Sequence, residues 1–234
     1  MYAPGEIITY MEMCAVEKAQ LQRGMNYRMP TGRTVVLMSR RPNAPYFDEV
    51  LDEGLTIIYE GHDEPKSSEN PIPKLIDQPE YTPGGVLTQN GLFSKAAADY
   101  KSGSREPEPV LIYEKLKKGL WVFNGVFDLV DSWQEEVESR KVFKFRLEVS
   151  EQQPAEARGN ANVIDEMEHP RVIPSVVKQA VFKRDKGQCV VCGAKTELHF
   201  DHVLPYSRGG SSVVPENVQL LCARHNLQKS AKIQ

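Results

Sequence analysis

Apolar runs along the chain predict that its first part is rich in β-strands. The segment KVFKFRLEV at 141–149 alternates apolar and polar residues, as a strand buried on one face does. Shorter apolar runs predict further strands at 7–10, 34–38, 55–59, 110–113 and 120–130.

Two helices are predicted among these strands. One covers AVEKAQLQRG and ends near Gly24, and the other covers NGLFSKAAADYK, with Thr88 or Asn90 as its N-cap. Residues 60–85 contain five prolines and several charges, which indicates a long exposed loop. A loop of that length in a compact domain is usually functional or disordered.

The rest of the chain predicts a second, smaller domain. Residues 151–174 have few large apolar side chains and no clear period, which is typical of an interdomain linker. Ser175 then caps a short helix, VVKQAVFKRD. A strand containing Asp201 and His202, a Gly/Ser-rich loop, a strand over 217–221 and a helix from about Ala223 follow. We therefore expect domains at 1–150 and 175–234.

Charge divides the chain in the same way. Residues 170–234 carry ten Lys or Arg and four Asp or Glu, whereas the preceding residues carry 19 and 28. A basic tail on an acidic body indicates a polyanionic partner for the tail. No apolar run is long enough to span a bilayer and the N-terminus does not resemble a signal peptide, so we expect a cytoplasmic protein with no membrane partner.

Cysteine spacing predicts a metal site in the tail. Cys189 and Cys192 form one Cys-x-x-Cys pair, and Cys222 and His225 form a second pair, with 29 residues between Cys192 and Cys222. Two such pairs suit the tetrahedral coordination of Zn²⁺. A unit of about 60 residues has a small core, so zinc would supply much of its stability. On this spacing alone, an inert zinc ribbon remains an alternative.

The run between these pairs, LHFDHVLPYSRGGSSVVPENVQLLCARHNLQKS, strongly resembles the HNH nuclease family, whose fold is the ββα-metal finger. The matching features are Asp201-His202, the Arg-Gly-Gly loop at 208–210, Asn217 before an apolar strand, and Asn226 on the final helix. The resemblance covers residues 175–232. It implies hydrolysis of DNA phosphodiester bonds at a one-metal site.

The resemblance also implies a role for each matching residue. Asp201 and Asn226 would hold the catalytic Mg²⁺ or Mn²⁺, since a hard divalent cation prefers oxygen ligands. His202 would be the general base, because imidazole, with an unperturbed pKa of about 6.5, suits proton removal near neutrality. Asn217 would brace the loop and orient the histidine. Arg208, Arg224 and Lys229 are candidate phosphate contacts, although a single basic residue is more often simply solvated. His199 is expected at the surface or behind the site.

The first part of the chain resembles SRA (YDG-type) domains. The resemblance rests on YFDEVLDEG at 46–54 followed by IIYEG at 57–61. Two later stretches fit the same order: Asp77-Gln78 with Gly84-Gly85 before Thr88, and WVFNGVFDLVDSW at 121–133. It implies an SRA/PUA-like β-barrel-type fold with flanking helices that reads a modified cytosine after flipping it out of the duplex.

A flipped base needs aromatic stacking and polar groups on its Watson–Crick edge. Tyr46 and Tyr59 are the stacking residues that the resemblance suggests, and Asp48 or Glu49 would contact the base edge. The segment is one residue longer than the usual pattern between Tyr46 and Gly54, so the choice of acid stays open. A local basic face for DNA could come from Arg23, Arg28, Arg33, Arg40 and Arg41.

Together these patterns predict an α+β protein that acts as a modification-dependent DNA endonuclease, similar to type IV or IIM restriction enzymes. Its partner would be double-stranded DNA carrying a 5-methyl or 5-hydroxymethyl type of cytosine. One HNH site cuts one strand, so a homodimer is expected. Two alternatives remain: an HNH endonuclease that reads unmodified sequence or a backbone modification, and a non-catalytic, zinc-stabilised DNA-binding protein.

Overall fold

The computed structural model describes residues 2–42, 44–68, 70–153, 172–205 and 208–230. The strands are β1 (Ile7–Thr9), β2 (Met25–Asn26), β3 (Thr34–Met38), β4 (Glu49–Leu51), β5 (Thr56–Glu60), β6 (Glu108–Lys117), β7 (Leu120–Val137), β8 (Arg140–Val149), β9 (Leu198–His202) and β10 (Val218–Cys222). The helices are α1 (Tyr10–Glu17), α2 (Gln89–Lys101), α3 (Ser175–Arg184) and α4 (Ala223–Ser230). The predicted α+β class is confirmed. None of the described helices has the length and apolar content needed to cross a membrane.

One sheet organises residues 2–153, which we call the N-terminal region. Its strand order is β2-β3-β6-β7-β8-β5-β4, with β1 paired to β7, and β3 and β6 are parallel while the other pairs are antiparallel. The long strand β7 connects the parts of this sheet. β6 pairs with its first half, β8 with its second half, and β1 with its beginning, where Ile7 lies opposite Val122.

Helix α2 covers the main core of this sheet. Phe93, Ala96 and Ala97 follow helical spacing and are fully buried against Phe127 and Phe145. Thr88 is the N-cap, since its hydroxyl accepts a hydrogen bond from the Gly91 amide at 3.3 Å. The prediction of this helix and of Thr88 as one of two possible caps is confirmed.

The first helix lies earlier than predicted. Thr9 and Glu12 form a capping box, in which the Thr9 amide donates to the Glu12 carboxylate at 2.7 Å and the Glu12 amide donates to the Thr9 hydroxyl at 3.2 Å. Lys18 adopts a left-handed conformation and ends the helix. The predicted helix over 15–24 is therefore wrong. The capping residues Thr9 and Glu12 precede that segment, so the helix begins at Tyr10 and ends at Glu17.

A second sheet organises residues 172–230, which we call the C-terminal region. β9 and β10 form an antiparallel hairpin with Gln219 opposite Asp201, and α3 and α4 pack against β10. The core consists of Val177, Val181, Leu198, Phe200, Val218, Leu220 and Leu221. The predicted strands and final helix are confirmed within one residue. Ser175 is not the cap of α3: Pro174 precedes the helix, and the Ser175 hydroxyl donates to the Glu114 carboxylate instead.

Residues 5–9 join the two sheets. The Gly5 amide donates to the Phe123 carbonyl at 2.7 Å, while the Gly5 carbonyl accepts from the Phe200 amide at 2.9 Å. Gly5 has a φ of 87°, and a Cβ there would lie 2.7 Å from the Phe200 carbonyl oxygen. Only glycine fits this position without strain, because it needs both a left-handed backbone and a close approach.

A buried polar cluster also connects the regions. The Lys178 ammonium on α3 donates to the Glu114 carboxylate on β6 and to the Asn124 amide oxygen on β7, both at 2.6 Å. Lys178 and Glu114 are 2% and 3% exposed. The apolar core of the C-terminal region continues onto Leu116 and Val122 of the large sheet. The predicted domain boundaries stay predictions, and most of the predicted linker, residues 154–171, lies outside the described residues.

Candidate functional site

Four ligand atoms converge at one end of the C-terminal region. The sulfurs of Cys189, Cys192 and Cys222 and a ring nitrogen of His225 all lie within 4.8 Å of one another. Cys192 Sγ and Cys222 Sγ are 3.8 Å apart, and His225 Nδ1 is 3.4 Å from Cys189 Sγ and 3.3 Å from Cys222 Sγ. A tetrahedral ion with Zn–S bonds of about 2.3 Å holds its sulfurs about 3.8 Å apart. The predicted Cys₃His set therefore fits a zinc ion.

The electrostatics of the thiols agree with metal binding. Burial raises the pKa of the Cys189 thiol, but amide groups that include those of Cys222 and Cys192 outweigh burial and lower this pKa to about 6. The Ala194 amide lowers the pKa of the Cys192 thiol, yet burial and the adjacent thiols outweigh it and raise that pKa. A second thiolate beside the first needs a cation, and Zn²⁺ would supply that charge.

The acid and the histidine of the HNH pattern occupy the end of β9. Asp201 and His202 are successive strand residues, so their side chains point to opposite faces. The Asp201 carboxylate accepts hydrogen bonds from Gln219 Nε2 at 3.1 Å and from Lys229 Nζ at 2.5 Å. Lys229 Nζ also donates to the His202 carbonyl oxygen. The Asp201 carboxylate and the His202 carbonyl oxygen thus both bind the Lys229 ammonium group. Oxygen atoms of this kind are also the ligands that Mg²⁺ prefers.

Asn226 lies on the final helix, α4, which also carries Lys229. It is half-buried, follows His225 directly, and is three residues from Lys229. Residues three apart share one helix face, so Asn226 and Lys229 lie on the same face of α4. Lys229 contacts Asp201, so the helix face that carries Asn226 and Lys229 is the face of α4 turned towards β9. Arg208 is exposed, on the loop between β9 and β10.

Asn217 braces the loop that follows β9. Its amide oxygen accepts from the Leu204 amide at 2.8 Å, and its Nδ2 donates to the carbonyl oxygens of Leu204 and Ser211, both at 3.0 Å. A Cβ on Gly210 would lie 1.8 Å from the Leu204 carbonyl oxygen, so glycine permits this close approach. The geometry agrees with the loop-bracing role that the resemblance implied.

The histidine contacts a residue that sequence reasoning missed. His202 Nε2 lies 2.9 Å from the Ser212 hydroxyl, and Ser212 is 2% exposed. Asn217 holds the adjacent Ser211 carbonyl, so its effect on the His202 ring passes through the loop rather than through direct contact. A serine in a Gly/Ser-rich loop carries no distinctive sequence signal.

His199 is not a surface residue. It is 7% exposed on β9, and burial lowers the pKa of its imidazole. Its backbone forms a bridge with Glu6. The residue is buried because residues 5–9 of the N-terminal region cover β9 at this point, which local sequence could not indicate.

A cluster of aromatic and charged side chains surrounds Tyr46 in the N-terminal region. The Tyr46 ring stacks on the His62 ring, with centroids 4.7 Å apart and planes within 9°. Lys74 Nζ lies 4.3 Å from the centroid of the Tyr46 ring. Burial lowers the pKa of His62 to about 4, so its imidazole is neutral at pH 7. Sequence reasoning missed His62, although it directly follows the Tyr-Glu-Gly element at 59–61.

Tyr59 lies behind this stack rather than at its surface. It is 1% exposed, and its hydroxyl lies 2.9 Å from His62 Nε2. Its ring centroid is 6.0 Å from that of His62. Because the ring is packed in the core, Tyr59 supports His62 in this conformation and presents no open face for stacking.

Of the two acids, Asp48 rather than Glu49 faces the aromatic cluster. Asp48 is 8% exposed and accepts hydrogen bonds from the amides of Glu60 at 3.2 Å and Ser39 at 3.4 Å. Burial raises the pKa of Asp48 to about 7, against the lowering effect of these two amides. Glu49 is exposed on the edge strand β4, because successive strand residues face opposite sides.

Buried ion pairs surround this cluster. Lys144 Nζ lies 3.2 Å from Glu60 Oε2, and Arg140 lies 3.7 Å from Glu60 and 2.6 Å from Asp63. Burial raises the pKa of Asp63, but hydrogen bonds from Arg140, Lys74 and Gln78 outweigh it and lower that pKa overall. Four charged side chains are thus held in fixed positions behind Tyr46: Glu60, Asp63, Arg140 and Lys144.

Two of the five arginines that could supply a basic face are paired with acids. Arg28 pairs with Glu108 at 2.9 Å and Arg33 pairs with Glu17 at 3.4 Å, so two of them are neutralised locally. Arg41 donates to the Ser39 hydroxyl at 3.2 Å and lies on the loop after β3.

Comparison with known families finds one match, which lies in the C-terminal region. Residues 189–232 match the family model described as HNH endonuclease. This match spans β9, β10 and α4 together with the four predicted zinc ligands. Residues 189–232 are therefore similar to an HNH endonuclease domain, in agreement with the resemblance that the sequence predicted. A search of curated proteins found no significant match.

Several solved structures are similar to this chain. The SRA domain of SUVH5 in complex with hemimethylated CG DNA is 22% identical, with 66% of this chain and 92% of that chain covered and a TM-score of 0.45. The same domain bound to fully hydroxymethylated CG DNA is 21% identical, with 65% and 92% covered and a TM-score of 0.45. Arabidopsis thaliana SUVH6 in complex with SAM is 20% identical, with 70% and 30% covered and a TM-score of 0.41.

Proposed function

We propose that this protein is a modification-dependent DNA endonuclease in which the N-terminal region reads a modified cytosine and the HNH domain hydrolyses the phosphodiester backbone. The observation that carries the proposal is the arrangement of Asp201, His202, Asn217 and Asn226 in a matched HNH domain that packs on a region with a buried acid–aromatic cluster. The buried contacts between the regions support a coupled reader and nuclease rather than two independent proteins on one chain.

In the nuclease, His202 accepts the proton of the attacking water. The Ser212 hydroxyl and the loop braced by Asn217 orient the imidazole. Asp201 and Asn226 would hold Mg²⁺ or Mn²⁺, which neutralises charge on the phosphate and stabilises the leaving oxygen when bound. Lys229 contributes a further positive charge beside Asp201. Cys189, Cys192, Cys222 and His225 would hold a structural Zn²⁺ that fixes the start of α4 beside β9.

In the reader, Tyr46 and Asp48 are the residues that would meet a flipped base. Tyr46 is half-buried whereas Tyr59 is in the core, so Tyr46 is the tyrosine of this cluster that a base can reach. With a pKa of about 7, Asp48 is available both as a carboxylate that accepts from the cytosine amino group and as an acid that donates to a ring nitrogen. His62 would have to separate from Tyr46 to admit the base.

The test is a cleavage assay with Mg²⁺ or Mn²⁺ on matched duplexes carrying unmodified, 5-methyl-, 5-hydroxymethyl- or glucosylated hydroxymethylcytosine. We expect cutting confined to one or more modified duplexes. His202→Ala should reduce cleavage by about 10² to 10⁴ while leaving DNA affinity unchanged, because it removes only the general base. Equal cutting of all four duplexes would overturn the reader, and unchanged activity in His202→Ala would overturn the assigned base.

Double-strand cleavage by this chain would use two copies. One HNH site hydrolyses one strand, so we propose a homodimer on DNA. Light scattering of the protein on a duplex with one modified site should give the mass of two chains. A single chain per duplex, together with efficient double-strand cutting, would contradict this proposal.

A further inference from the structure

A basic cleft lies where the two regions meet. It has a volume of about 370 Å³, and Arg41, Lys117 and Lys118 line it from the N-terminal region, while Gln179, Phe182 and Lys183 line it from α3. No acidic residue lines the cleft within the part of the chain that the structure describes. Four cations without a facing acid make this a site for an anion.

The two walls of the cleft are held at a fixed separation. Directly behind it, the buried Lys178–Glu114 pair and the shared core around Leu116 and Val181 join α3 to the large sheet. Lys117 Nζ also lies 4.5 Å from the centroid of the Phe182 ring, a contact between the regions at the cleft itself. The cations from both sides therefore form one preorganised surface.

Hydrogen bonds lead from each wall of the cleft towards one of the two candidate clusters. Arg41 contacts Ser39, whose amide holds Asp48 in the proposed base pocket. On the other wall, Lys183 precedes Arg184, whose guanidinium donates to the carbonyl oxygens of Pro215 at 2.7 Å and Val218 at 2.6 Å, on either side of Asn217. A polyanion bound along this cleft would extend from the proposed base pocket towards the proposed nuclease site.

We propose that this cleft binds backbone phosphates of the DNA segment that lies between the modified base and the scissile bond. The inference rests on the proposed function and extends it: the cleft sets the path of the duplex between the two sites. Because phosphates are the same in every sequence, contacts here add affinity and set the cutting distance without reading bases.

The experiment measures duplex binding by the full chain as a function of salt concentration. In the double variant Lys118→Ala/Lys183→Ala, the slope of log affinity against log salt should decrease in magnitude by about 2, one phosphate contact per lysine. The loss should be equal for modified and unmodified duplexes. The matched control, Lys95→Ala/Lys101→Ala, removes the same charge from α2, where each lysine pairs with an acid, and should leave the slope unchanged.

A second arm locates the contacts on the DNA. Neutral methylphosphonate linkages placed one at a time between the modified base and the cut should weaken binding by the wild type at a few adjacent positions. The same linkages should not weaken binding by the double variant. The variant already lacks the lysines that contact these phosphates, so neutralising the phosphates removes no further interaction. Thermal unfolding verifies that the variants fold, as expected for exposed lysines.

The outcomes separate this proposal from the proposed function. If the wild type prefers modified DNA and the double variant keeps the full salt slope, the cleft proposal is overturned and the reader remains. If the wild type shows no preference but the slope falls as stated, the reader is overturned and the cleft remains. Tripolyphosphate binding that the double variant loses, with no change in the DNA slope, would make the cleft a small-anion site and overturn the proposal.

Discussion

The two regions hold their functional groups in different ways. In the N-terminal region, Asp48 and Glu60 are buried in a sheet whose core spans Phe93, Phe127 and Phe145. In the C-terminal region, Asp201 and His202 are half-exposed at the end of a two-stranded sheet, and a Cys₃His cluster takes the place of a large core. The proposed nuclease site is thus partly exposed, whereas the proposed reader cluster is covered by its own side chains.

This difference follows from the size of the two cores. A large sheet with a covering helix buries enough apolar surface to hold charged groups in its interior, provided that they are paired. A unit of about 60 residues has no such reserve, so a metal cross-link fixes its geometry and its reactive groups stay near water. Four changes, given from the largest expected effect to the smallest, test this comparison.

Removing a zinc ligand should have the largest effect. We expect Cys222→Ser to lose bound zinc and to destabilise the C-terminal region by on the order of 10 kcal/mol, because metal-binding energy is folding energy in such units. Metal analysis and hydrogen exchange over 175–230 measure this. Cys14→Ser removes a thiol outside the cluster and should retain zinc. Full zinc content or unchanged exchange protection in Cys222→Ser would contradict the assignment.

Breaking the buried pair between the regions should come next. Lys178→Ala leaves the Glu114 carboxylate buried without its cation, which should lower the free energy of unfolding by about 3–5 kcal/mol. Urea unfolding gives this value. The control Lys95→Ala breaks an exposed pair on α2 and should cost only about 0.3–0.5 kcal/mol. Equal effects of the two variants would mean that the buried pair does not hold the regions together.

The buried acid Asp48 of the proposed reader should make stability depend on pH. The pKa of Asp48 is about 7 in the folded protein and its ordinary value is 3.8, so the folded state binds the extra proton between these values. The contribution of Asp48 to the free energy of unfolding is therefore fully present below about pH 4 and is lost as the pH rises to 7. Between pH 5 and 8 the loss should be about 3 kcal/mol.

Urea unfolding at several pH values, on wild type and Asp48→Asn, measures that loss. The variant is neutral at every pH and should lack this slope, while Asp52→Asn at an exposed position should keep it. Parallel pH profiles for wild type and Asp48→Asn would show that Asp48 does not bind a proton in this range. The same variant should weaken any preference for a modified cytosine.

The smallest effect should come from the capping box at the end of β1. Thr9→Ala removes the hydroxyl that accepts from the Glu12 amide, which should lower the free energy of unfolding by about 1 kcal/mol. Chemical unfolding measures it, with the exposed Thr196→Ala as the control. A loss of several kcal/mol would instead indicate that residues 5–9 hold the two sheets together more strongly than the cap alone explains.

The patterns that were read correctly are local in sequence. β3 has the predicted bounds, α2 begins after Thr88, and the Cys₃His cluster assembles from two pairs with short internal spacing. Each depends on interactions over a few residues, so a window of sequence contains the relevant physics. The HNH pattern is similar, since its residues lie within 26 positions of one another, from Asp201 to Asn226.

The sequence by itself therefore determined the α+β class, the similarity of residues 189–232 to HNH endonucleases and the composition of the candidate metal cluster. The tertiary structure alone decided that His199 is buried, that Tyr59 lies behind His62, and that Asp48 rather than Glu49 faces the aromatic cluster. It also decided that Ser175 and Lys178 bind Glu114, more than 60 residues away. Such pairs form only when separate elements pack together, and nothing in the local pattern of either segment identifies the partner that packing provides.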